Sequence, residues 1–162
     1  MFMEKFFAKR GTYPGYEMYS MDHLKLVVAS AILITIALMF SCRMKRKSVL
    51  KTIRYATVAM WVLEIGKIAF NLWSGNVKSL NSYIPFYFCS MPLYFGLFAG
   101  FGKNTVKRIG DVFLIVGGII GGLVYIMSPS TTAGTYPAFH FITVRSFIHH
   151  GIMVYLGILM II

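Results

Sequence analysis

Acidic side chains are scarce in this 162-residue sequence: Asp and Glu together number 5, against 16 Lys and Arg. Charge of either sign makes up only 13% of the chain, and hydrophobic residues make up 57%. A soluble domain carries about 25% charge, so the balance excludes a soluble globular protein. It also excludes a disordered chain, which combines low hydrophobicity with high net charge. Only 2 cysteines are present, too few to staple a small secreted module. No phosphate-cradling glycine loop, serine elbow or carboxylate pair occurs. No His or Cys pair has the spacing of a zinc site, so neither a metal nor another cofactor is expected.

What the chain has instead is long apolar runs. Five of them cover about 24–42, 55–73, 83–101, 111–127 and 145–162. A bilayer span takes about 20 largely apolar residues, and lipid tolerates only helices or closed barrels. None of the runs alternates as a barrel strand would. The expected fold is therefore all-α, a polytopic transmembrane helical bundle of about five spans. Residues 1–20 form no cleaved signal peptide but an extracytoplasmic or interfacial tail, with Phe2, Phe6 and Phe7 beside Lys5, Lys9 and Arg10. Residues 21–162 are expected to form one transmembrane domain.

The excess of basic residues is a topology signal. Arg43, Lys45, Arg46, Lys47, Lys51 and Arg54 follow the first run, and Lys103, Lys107 and Arg108 follow the third. The other two connections offer only Lys78 and, at its end, Arg145. The positive-inside rule puts the basic connections in the cytoplasm and the N-terminus outside. The basic runs lack aromatic interleaving, so no nucleic-acid partner is expected. Cys42 then lies at the inner face and Cys89 in the outer half, too far apart for a disulfide.

Comparing depths at 1.5 Å per residue puts Cys89 roughly 9 Å below the outer surface, and His150 at about the same level. His23 opens the first run at the outer interface. Glu64, Lys67 and Asn71 share a face of the second at i, i+3, i+7 spacing. Polar groups thus gather in the outer half of an apolar bundle. Glu64 and Lys67 are expensive in lipid unless paired, and read either as a structural pair or as a cavity lining. His149, turned about 100° from His150, is expected to face another way, and His140 to be solvated in an outer loop. Gly96, Gly100, Gly117, Gly118, Gly121 and Gly122 recur at small-xxx-small spacing, which favours close helix approach. Pro85 and Pro92 bracket Cys89 and disturb the helix around it.

The run Pro85-Phe86-Tyr87-Phe88-Cys89-Ser90-Met91-Pro92-Leu93 resembles the proline-to-cysteine signature of the YwaF-like integral membrane proteins, whose animal relative is transmembrane protein 164. The stretch from Met127-Ser128-Pro129 to His149-His150-Gly151 resembles that family's second signature, and Asp22-His23-Leu24 the opening of its first helix. The likeness covers roughly residues 16–160. It implies a membrane acyltransferase that works through a cysteine thioester on phospholipids, with Cys89 as nucleophile and His150 as its base. His23, Glu64, Lys67 and Tyr87 then line the substrate cavity. Tyr87 stands where many members of the family carry a histidine. The resemblance also implies a further C-terminal helix, which is expected to be missing after Ile162.

The expected function is the transfer of acyl chains to or between lipids. A non-catalytic scaffold or partner subunit, and a small-molecule transporter led by Glu64 and Lys67, are the alternatives. Membrane lipids are the expected partners, alongside a second copy or a partner membrane subunit, and the plasma membrane is the expected location.

Overall fold

A computed structural model describes residues 2–76 and 83–162, with the backbone alone for Phe2. Lys78 and the Phe2 ring, both placed above from sequence, lie outside the described residues. Helix is the only regular structure among those residues. In chain order the elements are α1 (Phe2–Phe6), α2 (Met21–Ser41), α3 (Arg46–Ser74), a 3₁₀ turn (Phe88–Ser90), α4 (Met91–Phe101), α5 (Asn104–Phe113), a π segment (Leu114–Gly118), α6 (Ile119–Met127) and α7 (Phe141–Leu159).

Three helices are long and apolar enough to cross a membrane: Met21–Ser41, the continuous Asn104–Met127 rod, and Phe141–Leu159. α3 has 29 residues but carries charge along its length, and Phe88–Phe101 is a shorter apolar helix. This is an all-helical membrane protein whose apolar faces contact lipid.

Helix bounds depart from the hydropathy pattern where chemistry other than hydropathy decides them. α3 starts at Arg46 rather than near 55, because Lys and Arg are good helix formers. Most of the first basic connection is therefore helical, and Arg54 donates Nε–H to Gly100 O at 2.7 Å. α3 stops at Gly75, whose φ of 70° suits a left-handed cap. The expected helix over 83–101 begins only at Met91, after the 3₁₀ turn. Pro92 stands in the first turn of α4, where its missing N–H is no loss. Tyr87 is extended at φ −68°, ψ 153°. Cys89 therefore sits in a helix-start turn and not inside a span.

α7 is the axis of the bundle. It packs on α2, α3, α6 and the π segment, and 67% of its apolar window is buried against 11% for α2, which leaves α2 mostly to lipid. Met60, Leu93, Leu114, Met153 and Leu156, all 0% exposed, join α3, α4, the π segment and α7 in one core. Close approach of the π segment and α6 to α7 requires glycine: a Cβ on Gly122 would lie 2.8 Å from His150 O, and one on Gly118 2.9 Å from Met153 O. Gly122→Ala is expected to cost about 1–3 kcal/mol by overpacking, read as a lower unfolding temperature of the purified protein.

The N-terminal tail packs against the bundle. Phe6 meets Phe139 at 5.5 Å between ring centroids and Phe7 meets Phe141 at 5.6 Å. Ala8 and Tyr16 are buried. Tyr16 N–H donates to Tyr136 O at 3.0 Å and Gly134 N–H donates back to Tyr16 O at 2.8 Å, which ties the tail to the 128–140 connection.

Candidate functional site: a polar cavity beside α7

Polar side chains converge in one cavity of about 320 Å³. α3 contributes Glu64, Lys67 and Asn71; the segment before α4 contributes Tyr87, Cys89 and Ser90; α6 contributes Tyr125. α7 supplies Arg145, Ser146, His149 and His150, and Arg10 reaches in from the tail. Five of the six expected site residues meet here: Cys89, His150, Glu64, Lys67 and Tyr87. The thiol carrier Cys89 is half-buried and free, as is the exposed Cys42.

His23 does not line the cavity, contrary to expectation. It is buried, its Nδ1 accepts from Tyr19 N–H at 3.0 Å, and its Nε2–H donates to Ile126 O at 3.0 Å. Nε2 fastens α2 to the end of α6, while Nδ1 ties the ring to the turn that precedes α2.

Glu64, 1% exposed, is the only carboxylate lining the cavity among the described residues. One of its oxygens takes the Lys67 ammonium, one turn along α3, and the other takes the Arg145 guanidinium of α7. Arg145 also donates Nε–H to Leu63 O at 3.1 Å. The expected Glu64–Lys67 pair is present, therefore, but a third charge completes it. Arg145 is no loop residue; it is buried in the second turn of α7.

The two adjacent histidines have their tautomers fixed by neighbouring carbonyls, which can only accept. His150 Nδ1 is 2.7 Å from Ser146 O, so Nδ1 carries the hydrogen and Nε2 keeps its lone pair. His149 Nε2 is 3.3 Å from Cys89 O, so there Nε2 carries the hydrogen and Nδ1 keeps its lone pair. His150 Nε2 and His149 Nδ1 are both buried without a hydrogen-bond partner. His149 was expected to diverge from His150, but both line the cavity, with ring centroids 5.3 Å apart. The polar face of α7 is broad enough to hold neighbours 100° apart. No hydrogen bond joins Cys89 Sγ to either imidazole among the described residues.

Behind His150 stands a hydroxyl network. The Tyr125 ring stacks on the imidazole at 3.7 Å and 8°. Thr132 Oγ1–H donates to Pro129 O at 3.3 Å and accepts from Tyr125 and Tyr16 hydroxyls, each at 2.9 Å. Burial pushes the Tyr16 phenol up to about 12, which keeps its donor hydrogen in place. The tail thus buttresses the ring that orients His150.

His140 was expected to be solvated and is fully buried. Its Nδ1 caps α7 by accepting from Ile142 N–H at 3.1 Å, and its Nε2–H donates to Ala8 O at 3.0 Å. Burial lowers its pKa below the ordinary value, and protonation would put a hydrogen on the capping acceptor. The unfolded chain takes up that proton more readily, so stability is complete above about pH 6.5 and declines as pH falls below it. The unfolding temperature should drop between about pH 7.5 and about pH 5.5, and His140→Asn should shrink that drop.

A larger cleft of about 460 Å³ lies between α2 and α7, lined by side chains such as Leu33, Ile34, Ile148 and Ile152. Among the described residues Ser30 and Tyr155 are its only polar ones, whereas the titratable side chains gather in the polar cavity. Among the described residues no three His, Cys, Asp or Glu converge as a metal site.

The residues missed from sequence were Arg145, His149, Tyr125 and Arg10. The first two had a usable signal: Arg145, Ser146, His149 and His150 recur at i, i+1, i+4, i+5, one continuous helical face. Tyr125 and Arg10 reach the site only through tertiary packing.

No curated protein and no solved structure is a significant match to the chain. A family model matches residues 18–162, which include every expected site residue, and the chain belongs to the TMEM164 family.

Proposed function

We propose that this is a multi-pass acyltransferase of the plasma membrane, with residues 21–162 as one catalytic transmembrane domain. Cys89 carries an acyl chain as a thioester between a lipid donor and a lipid acceptor. His150 Nε2 takes the thiol proton and the thiolate attacks the donor's ester carbonyl. The ester C–O bond breaks, and the imidazolium returns its proton to the departing alkoxide. An acceptor hydroxyl then gives its proton to the same nitrogen, attacks the thioester carbon and releases the thiolate. The thiolate recovers the proton from the imidazolium.

The observation that carries this reading is His150 Nε2: a buried lone pair without a protein partner, in the cavity that Cys89 lines. Ser146 O fixes the base-competent tautomer, and the stacked Tyr125 ring restrains the imidazole's orientation. The test is a clickable acyl-lipid probe on the full chain in detergent. Label on Cys89 that hydroxylamine releases, and that Cys89→Ala abolishes, supports the reading. Label that survives Cys89→Ala overturns it.

A further inference from the structure

We infer that Lys67 is a further catalytic residue, donating to the oxyanion that forms when Cys89 attacks an ester carbonyl. The inference rests on the acyl transfer proposed above. The Lys67 ammonium pairs with Glu64, one turn away on α3, but Arg145 pairs with the same carboxylate. Glu64 is the only carboxylate lining the cavity among the described residues, so the triad keeps one positive charge uncompensated. Lys67 is the member placed to present that charge to a ligand. The Arg145 side chain is 6% exposed and is committed to Glu64 and to Leu63 O, whereas 16% of the Lys67 side chain is exposed. An ammonium has three donor hydrogens, and Glu64 is its one partner among the described residues. A charge so far removed from water, and only half answered, is stabilised by an anion that forms beside it.

The second observation is the turn that carries the thiol. Ser90 N–H donates to Tyr87 O at 2.8 Å, and Met91 N–H donates to Phe88 O. The N–H groups of Phe88 and Cys89 precede these, and neither makes a hydrogen bond among the described residues. They are the donors that the first turn of a helix leaves over. Phe88–Phe101 runs on as one apolar helix, so the positive end of its dipole favours negative charge at Cys89. The third observation is His150, 3% exposed, whose Nε2 lacks a partner in the cavity that Cys89 and Lys67 also line. Lys67 lies within electrostatic reach of the Cys89 thiol. A base, a spare backbone donor and a half-answered ammonium thus border one nucleophile.

Attack forms the S–C bond and moves the carbonyl π pair onto oxygen. That oxygen passes from neutral to a full negative charge, which a fixed cation stabilises far more in a low-dielectric cavity than in water. Lys67 and the Cys89 N–H each donate a hydrogen bond to it. On collapse the C=O bond re-forms, the ester C–O bond breaks, and the alkoxide takes the proton held on His150 Nε2. Lys67 keeps its own proton throughout. It serves the second step in the same way, when the acceptor oxygen attacks the thioester and the thiolate leaves. Glu64 holds the ammonium in place, and Arg145, by answering Glu64, leaves the Lys67 charge available.

The test compares two reactions of Cys89 in the full chain in detergent, with Cys42→Ser so that one thiol remains. Labelling by the clickable acyl-lipid probe builds an oxyanion. Alkylation by iodoacetamide needs the same thiolate, releases iodide and builds none. Lys67→Met should slow labelling by about 10²- to 10³-fold, the cost of removing one oxyanion donor. Alkylation should slow by less than about tenfold, since there the ammonium acts only as a nearby charge. Lys67→Gln, which keeps a neutral donor, should label at a rate between those of Lys67→Met and the native chain. Lys67→Arg, which keeps the charge, should label within about tenfold of the native rate. His150→Gln should slow both reactions, because both need the base. Labelling of Lys67→Met and Lys67→Gln within about threefold of the native rate overturns the inference and leaves acyl transfer standing. A loss of labelling that alkylation matches also overturns it, since Lys67 then stabilises only the thiolate. A native chain that takes no label on Cys89 removes the acyl-transfer reading, and this inference with it.

Discussion

Glu64→Leu is expected to destabilise the protein by about 3–5 kcal/mol, the range found when one member of a buried ion pair is removed. The carboxylate is 1% exposed and holds two cations from two helices. Without it, Arg145 keeps only the Leu63 carbonyl as a hydrogen-bond partner, and its charge stays buried against α3. Lys67 is more forgiving, since 16% of its side chain is exposed and its ammonium can turn toward the cavity. The asymmetry yields a second result: Glu64→Leu combined with Arg145→Met should recover more than half of the loss. Replacing a whole buried pair with apolar groups is often close to neutral, whereas breaking one is not. Thermal unfolding of the single and double variants reads this directly. A cost under about 1 kcal/mol for Glu64→Leu would place the pair in a well-hydrated site. It would also mean that the triad does not fix α7 against α3.

The triad marks the limit of what hydropathy and spacing could find. The i, i+3, i+7 spacing of Glu64, Lys67 and Asn71 put all three on one face, and all three line the cavity. The α2 span was legible as well: beyond its polar first turn its 21 residues are mostly apolar and only 11% of its apolar window is buried, so hydropathy suffices to find it. Elsewhere, local rules overrode the apolar pattern. Pro85 and Pro92 sit inside an unbroken hydrophobic run, yet the chain from Tyr83 to Tyr87 is not helical, and Cys89 ends in a turn instead of a span. α7 begins at Phe141, four residues before the apolar run was taken to start, because His140 supplies its cap. With Arg145 placed at a loop end, its position opposite Glu64 was hidden. The tail was the least legible part. Its aromatic rings read as interfacial, and only the fold shows them packed on Phe139 and Phe141, with Tyr16 bonded into the Thr132 network.

That network holds the ring stacked on His150, and under the proposed function it favours His150 as the base. If His150 is the base, His150→Gln should slow acyl transfer by about 10²- to 10⁴-fold, the usual contribution of a positioned proton acceptor. Cys89→Ser should slow it by at least about 10³-fold, since removing a nucleophile disables the whole covalent route. His149→Gln should cost less than about tenfold: its amide N–H can still donate to Cys89 O, as His149 Nε2–H does now. The contrast follows from orientation. His150 is fixed at Nδ1 by a carbonyl one turn back on its own helix and on its ring face by Tyr125. His149 is bonded to the backbone carbonyl of Cys89, so in the proposed reaction it would position Cys89 and not take its proton. Tyr125→Leu removes the stacked ring without touching the nitrogen that takes the proton. It should therefore lower kcat by about tenfold, with little change in KM. Steady-state transfer rates for the four variants, each first checked for folding, separate these roles. A loss in His149→Gln equal to or greater than that in His150→Gln would move the base to His149 Nδ1, the other buried lone pair of the cavity.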